Sequence, residues 1–176
     1  RVRFALQMNS RKVAKLAALF ACAIALSLAE QILPAAPFMP PGARLGLSHV
    51  VVMYCVFCLS KKSAAALALL KSFFVLATRG PMAAALSLAG GALSLCALFI
   101  LVALHPSVSY SAAGIAGSII HNVGQLLAYS LMTGVDLITF YLPSLVVFGI
   151  ATGILTGTLL KLTSPLLGGR NGARDG

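Results

Sequence analysis

Residues 82–104 read MAAALSLAGGALSLCALFILVAL, an apolar run without a charged side chain. A helix needs about 20 mostly apolar residues to cross the ~30 Å hydrocarbon core of a bilayer. The run meets that length, and its hydrophobicity does not alternate with the period of two that marks a lipid-facing barrel strand. It therefore reads as a membrane-spanning helix, bounded by Arg79-Gly80-Pro81 before it and His105-Pro106 after it. Working outward, similar runs cover Leu16–Leu33, Leu45–Ser60 and Ser63–Thr78 on one side, and Ser111–Met132 and Tyr141–Leu162 on the other. The expected architecture is all-α, an integral membrane bundle of six transmembrane helices. Residues 1–15 form a basic N-terminal segment, 16–164 the membrane domain, and 165–176 a polar, disordered tail. Leu45–Ser60 and Ser63–Thr78 are the shortest runs, and a re-entrant pair is their alternative reading.

The composition agrees. The 176 residues are 60% hydrophobic and only 9% charged, with a mean hydropathy of +1.00. A soluble domain carries roughly 25% charged residues. Too few charges are present to coat a globule, so the lipid bilayer is the expected solvent.

The net charge of +10 does not indicate a nucleic-acid partner. The thirteen Lys and Arg stand in short clusters between apolar runs, the pattern by which membrane proteins set their orientation. With the N-terminus inside, Lys15, Lys61, Lys62, Lys161 and both terminal basic clusters fall in the cytoplasm. Only Arg44, Lys71 and Arg79 lie outside or within the membrane. The expected location is the bacterial cytoplasmic membrane, multi-pass, with both termini cytoplasmic. The apolar run from Leu16 follows Arg11, Lys12 and Lys15 but precedes no convincing cleavage site, so it reads as a retained helix and not a signal peptide. Met8 stands as an alternative start, with residues 1–7 an upstream extension.

Small residues supply close helix contacts in lipid, where the hydrophobic drive between helices is weak. Ala17, Ala21, Ala25 and Ala29 form one smooth stripe on the first helix, and Ala14, Ala18 and Cys22 a neighbouring one. Gly149, Gly153 and Gly157 repeat the spacing on the last helix. Each stripe reads either as internal packing or as a docking face. The first-helix stripe is the better candidate for docking, because it begins beside the basic cytoplasmic segment.

Ionisable groups at membrane depth are costly and usually face a cavity or a partner. Lys71 stands near the middle of its run, with Arg44 and Arg79 at the outer ends of theirs. These three cations either surround an anionic ligand at an outer mouth or pair with Glu30 and Asp136. His121, Asn122 and Gln125 fall along one side of the fifth run, one helical turn apart. They either bind a polar ligand group or hydrogen-bond between helices. His49 with Cys55 and Cys58 falls short of the four convergent ligands of a closed zinc site, so no metal or other cofactor is expected. Cys22, Cys55, Cys58 and Cys96 all lie in apolar runs, where thiols act as small hydrophobes. Three acidic residues in the whole chain leave acid–base catalysis with few candidates. No catalytic triad or phosphate loop is present, so the chain reads as a binder and not an enzyme. With no ATP-binding motif, any pumping energy comes from a partner.

Several ordered motifs carry a resemblance. Pro41-Gly42-Ala43-Arg44-Leu45-Gly46-Leu47-Ser48-His49 resembles the "PGAKLGLAN" signature of the Gx transporter family. Residues 87–94, SLAGGALS, are similar to its "SLAGGLLS" stretch, and residues 121–126, HNVGQL, to its "HNIGQL" motif. Tyr141-Leu142-Pro143 and Gly149-Ile150-Ala151-Thr152-Gly153 match its last helix. The resemblance spans Leu16 to Leu162. Arg44 stands where the family has Lys, and Ser48-His49 where it has Ala-Asn, so that the polar group at position 49 differs from the family's.

This family is often labelled heptaprenyl diphosphate synthase component I, and it is also similar to the substrate-binding S components of energy-coupling-factor (ECF) transporters. The resemblance implies a ligand pocket near the outer face. It also implies that the Ala17–Ala29 stripe docks a membrane coupling subunit driven by two cytoplasmic ATPases. On that reading residues 34–43 act as a lid, Arg44, Lys71 and Arg79 attract a phosphate or carboxylate, and His49, Asn122 and Gln125 orient it, with His121 beside them. Candidate ligands are vitamin-, flavin- or isoprenoid/quinone-precursor-like anions. The family label implies an alternative, a membrane subunit in polyprenyl diphosphate synthesis.

Overall fold

The computed structural model describes residues 2–32, 47–136 and 138–166. Arg44, the expected lid at 34–43 and the tail beyond Leu166 lie outside them. Every regular element among the described residues is helical: α1 (Val2–Ile32), the short α2 (His49–Tyr54) running on into a π-helical turn (Cys55–Leu59), α3 (Lys61–Leu104), α4 (Tyr110–Thr133) and α5 (Ile138–Leu166).

Three helical stretches are long and apolar enough to cross a membrane: Val13–Glu30, Lys61–Leu104 and Ile138–Pro165. Two differences from the sequence reading have physical causes. Helix α1 begins at Val2, well before Leu16, because residues 2–32 contain neither Gly nor Pro and are rich in Ala, Leu, Lys and Arg, the best helix formers. The run Leu45–Ser60, expected as a span, yields only a short apolar helix over His49–Leu59. At 1.5 Å per residue it reaches roughly half of a 30 Å hydrocarbon core. All six residues of α2 are buried, Met53 and His49 among them, so α2 is the core about which the longer helices pack.

Helix α3 is a hairpin. Straight, its 44 residues would extend about 66 Å. Gly80 interrupts it with φ 85° and ψ 177°, a left-handed region that a side chain would strain, and Pro81 follows. Ser72 Oγ donates to Ser87 Oγ at 3.4 Å, a contact that a straight helix would hold roughly 22 Å apart. The arms 61–79 and 81–104 therefore run antiparallel. Ser60 caps the first arm, its hydroxyl accepting Ser63 N–H at 3.2 Å.

Helices α4 and α5 make the most extensive pairing, and glycine makes it possible. A Cβ on Gly153 would lie 2.3 Å from Ile115 Cα, and one on Gly157 2.5 Å from Ser111 Cα. The Gly149–Gly153–Gly157 stripe is thus internal packing. The second arm of α3 also meets α4 closely, with a Cβ on Gly124 2.9 Å from Gly90 Cα. The α1 stripe does the opposite: Ala17, Ala21, Ala25 and Ala29 are all exposed, while Ala23, Ser27 and Glu30 face the bundle.

Candidate binding site

Four helical segments converge on one small hollow. Helix α1 contributes Ser27 and Glu30, the first arm of α3 Lys71, Val75 and Arg79, the second arm Ala83, Leu86 and Ser87, and α4 His121 and Gln125. The spacing of each set follows from helix geometry, since residues three, four and eight apart return to the same face. The hollow runs from Lys71, His121 and Gln125 near mid-helix to Glu30 and Arg79 near the helix ends. Among the described lining residues, two cations stand with one carboxylate. Burying an ion costs several kcal/mol unless an opposite charge compensates it, so such a lining favours an anion.

The polar groups behind the wall are held in order. Gln125 Nε2 donates to His121 Nε2 at 2.8 Å. The His121 ring stacks on His49, centroids 5.3 Å apart and planes 29° apart. His49 Nε2 lies 2.9 Å from Ser94 Oγ, and that hydroxyl donates its one proton to the Gly117 carbonyl at 2.9 Å. Ser94 can then only accept from His49, which places a proton on His49 Nε2. A Cβ on Gly117 would sit 3.1 Å from His49 Nε2, so glycine is what admits the ring.

The family model described as heptaprenyl diphosphate synthase component I matches residues 19–163. The chain belongs to the heptaprenyl diphosphate synthase component I family. No curated protein and no solved structure matches it significantly.

In this family member the expected ligand-binding residues separate into three groups. Lys71, Arg79, His121 and Gln125 meet around the hollow. His49 is not among the residues around the hollow; its ring stacks on that of His121 and supports it from behind. Asn122 turns away, its Nδ2 donating to the Leu145 carbonyl of α5 at 3.3 Å. Adjacent helical residues are 100° apart around the axis, so His121 and Asn122 cannot share a face as closely as His121 and Gln125 do. Asp136, weighed as a counter-ion, is exposed and accepts Ile138 N–H at 3.0 Å, capping α5. The Glu30 carboxylate lines the hollow and accepts Leu47 N–H, tying the end of α1 to the chain entering α2.

Sequence reasoning missed Ser27, Ser87, Ser94 and Gly117. A signal existed for the first three. Ser27 lies three residues before Glu30, and Ser87 and Ser94 lie seven apart, two turns along one helix face. Among the described residues no three His, Cys, Asp or Glu side chains gather in a metal-binding cluster.

Proposed function

We propose that the chain is the substrate-binding membrane subunit of a transporter of the energy-coupling-factor type. It is a multi-pass protein of the bacterial cytoplasmic membrane built from six helical segments, the α3 hairpin supplying two and α2 entering the hydrocarbon core only part-way, and both termini are cytoplasmic. Its role is capture and not catalysis. The observation that carries this reading is the meeting of Lys71, Arg79, Glu30, His121 and Gln125, drawn from three helices distant in sequence, around one hollow. Two cations compensated by one carboxylate accept an anionic group, and the His121–Gln125 pair orients it by hydrogen bonding. The hollow is about 20 Å³, room for roughly one water. Ligand pockets commonly measure about 300–1,000 Å³, so the described state is contracted, and capture requires α1 or the α3 hairpin to move outward. The exposed face of α1 through Ala17, Ala21, Ala25 and Ala29 supplies the docking surface for a membrane coupling subunit, with two cytoplasmic ATPases providing the energy.

Native mass spectrometry of the gently purified chain tests this reading. An anionic small molecule is expected on the native protein and absent from Lys71→Gln. A chain that carries no ligand and binds none from a panel of vitamin-like and prenyl anions would overturn it.

The family description favours a second reading, a membrane subunit of polyprenyl diphosphate synthesis. There Lys71 and Arg79 would hold the diphosphate. The magnesium-binding aspartates would come from a partner, because Asp136 and Asp175 stand far apart in this chain. Prenyl transfer by the chain with its co-purified partner, lost in Lys71→Gln, would favour this reading over transport.

A further inference from the structure

The polar hollow has an apolar neighbour. On the other side of the α3 hairpin lies a groove of about 240 Å³, its walls including Leu69, Ser72 and Phe73 from the first arm and Ala84, Ala85 and Leu88 from the second. Phe73 is 73% exposed, so the groove opens on the outer, lipid-facing side of the hairpin. The two spaces share one wall, the seam where the arms meet. Ser72 lines the groove and Ser87 the hollow, and they touch through a single hydrogen bond at 3.4 Å. The second arm presents only methyl groups at residues 83–85. At the closed end of the hairpin the non-helical Gly80 joins the arms, so they can part without breaking a continuous helix.

The contrasting chemistry of the two spaces indicates what they suit. The hollow is charged and about 20 Å³; the groove is apolar and about 240 Å³. An anionic head on a narrow hydrocarbon chain matches the chemistry of both spaces, the hollow widening from its contracted state to admit the head. Such a molecule already resides in the bilayer. Entering sideways between the arms brings its head to Lys71 and Arg79 while its chain stays in apolar surroundings, which avoids the penalty of placing hydrocarbon among charges or charges in lipid.

We propose that the captured ligand is amphipathic, its anionic headgroup held in the hollow and its hydrocarbon chain passing through the Ser72–Ser87 seam into the groove between the arms of α3. This rests on reading the hollow as an anion-capture site.

The test uses the full chain in lipid nanodiscs, with the exposed Cys22 and Cys96 replaced by Ala and the double substitution Ser72→Cys and Ser87→Cys added. Oxidation then locks the seam, and reduction reopens it in the same sample, so partition of a probe into the bilayer cancels. The probes are dodecyl phosphate, methyl phosphate and dodecanol. Locking is expected to weaken dodecyl phosphate binding about tenfold or more, with recovery on reduction and no change for methyl phosphate. Ala85→Phe, which fills the groove without a new cross-link, is expected to reproduce that loss. Equal binding of dodecyl phosphate to the locked and open forms and to Ala85→Phe overturns the proposal, as does dodecanol binding as tightly as dodecyl phosphate. Methyl phosphate binding as tightly as dodecyl phosphate overturns the amphipathic ligand but leaves anion capture standing. Binding of neither phosphate to the open form removes both.

Discussion

The imidazole rings of His49 and His121 stack 5.3 Å apart at 29°, one from the buried central helix and one from α4. The pair divides the site into a ring that meets the hollow and a ring that holds it in place. His49 is anchored to Ser94, Ser94 to the Gly117 carbonyl, and His121 to Gln125. A ring that lines the hollow and the ring that supports it are thus chemically alike but differently placed, and substitution is expected to separate them.

His121→Ala is expected to weaken anion binding about tenfold, the loss of one good hydrogen bond to a charged group, and also to lower the melting temperature, because the ring is buried and stacked on His49. His49→Leu is expected to act mainly on stability. It removes the donor to the Ser94 hydroxyl, which keeps its bond to the Gly117 carbonyl, and it removes the stacked ring, a loss of about 1–3 kcal/mol. Melting temperature and ligand affinity measured on both variants in detergent check the division. A larger affinity loss for His49→Leu than for His121→Ala would reverse the assignment.

Adjacent glycines on the second arm of α3 are expected to respond in opposite ways. A Cβ on Gly90 would lie 2.6 Å from the His121 carbonyl oxygen, whereas one on Gly91 meets nothing within 4 Å. Gly90→Ala is expected to force α3 from α4, at about 1–3 kcal/mol, and to disturb the hollow through His121. Gly91→Ala is expected to be neutral or to stabilise by up to about 1 kcal/mol through helix propensity. Thermal unfolding of the two single variants distinguishes them.

Gly80→Ala introduces a side chain at φ 85° and ψ 177°, where nothing blocks the Cβ but the backbone itself is strained by about 1–3 kcal/mol. The expected outcome is a lowered melting temperature with the fold retained. Pairing of cysteines placed at positions 72 and 87 in that background reports whether the hairpin still closes.

Ala21 and Ala25 are exposed on α1. Ala21→Leu is expected to leave the isolated chain's melting temperature unchanged, because no internal contact is displaced. It is expected to abolish co-purification with a coupling subunit, because a smooth small-residue face admits close helix approach and a leucine does not. Retention of the full complex by Ala21→Leu would remove α1 from the docking surface.

Glu30 tests the charge balance. Glu30→Gln keeps an acceptor for the Leu47 amide while removing the carboxylate beside Lys71 and Arg79. Tighter retention of an anionic ligand is the expected result, read as a higher fraction of ligand-bound protein in native mass spectra.

The amino-acid sequence by itself determined that the described residues form helices, several of them long and apolar enough for a lipid environment. Long uncharged runs such as residues 82–104 have no other physical solution, and the breaks at Arg79-Gly80-Pro81 and His105-Pro106 mark where they end. It also supplied Lys71, Arg79, His121 and Gln125, because charged and amide groups stand out against so apolar a background. Only the tertiary structure decided that Leu45–Ser60 yields a short buried core helix, that His49 supports while His121 lines, and that Asn122 belongs to the α4–α5 contact. Those distinctions depend on which neighbouring helix each face meets and at what rotation. Periodicity fixes which residues share a face; it carries no record of what that face is turned toward.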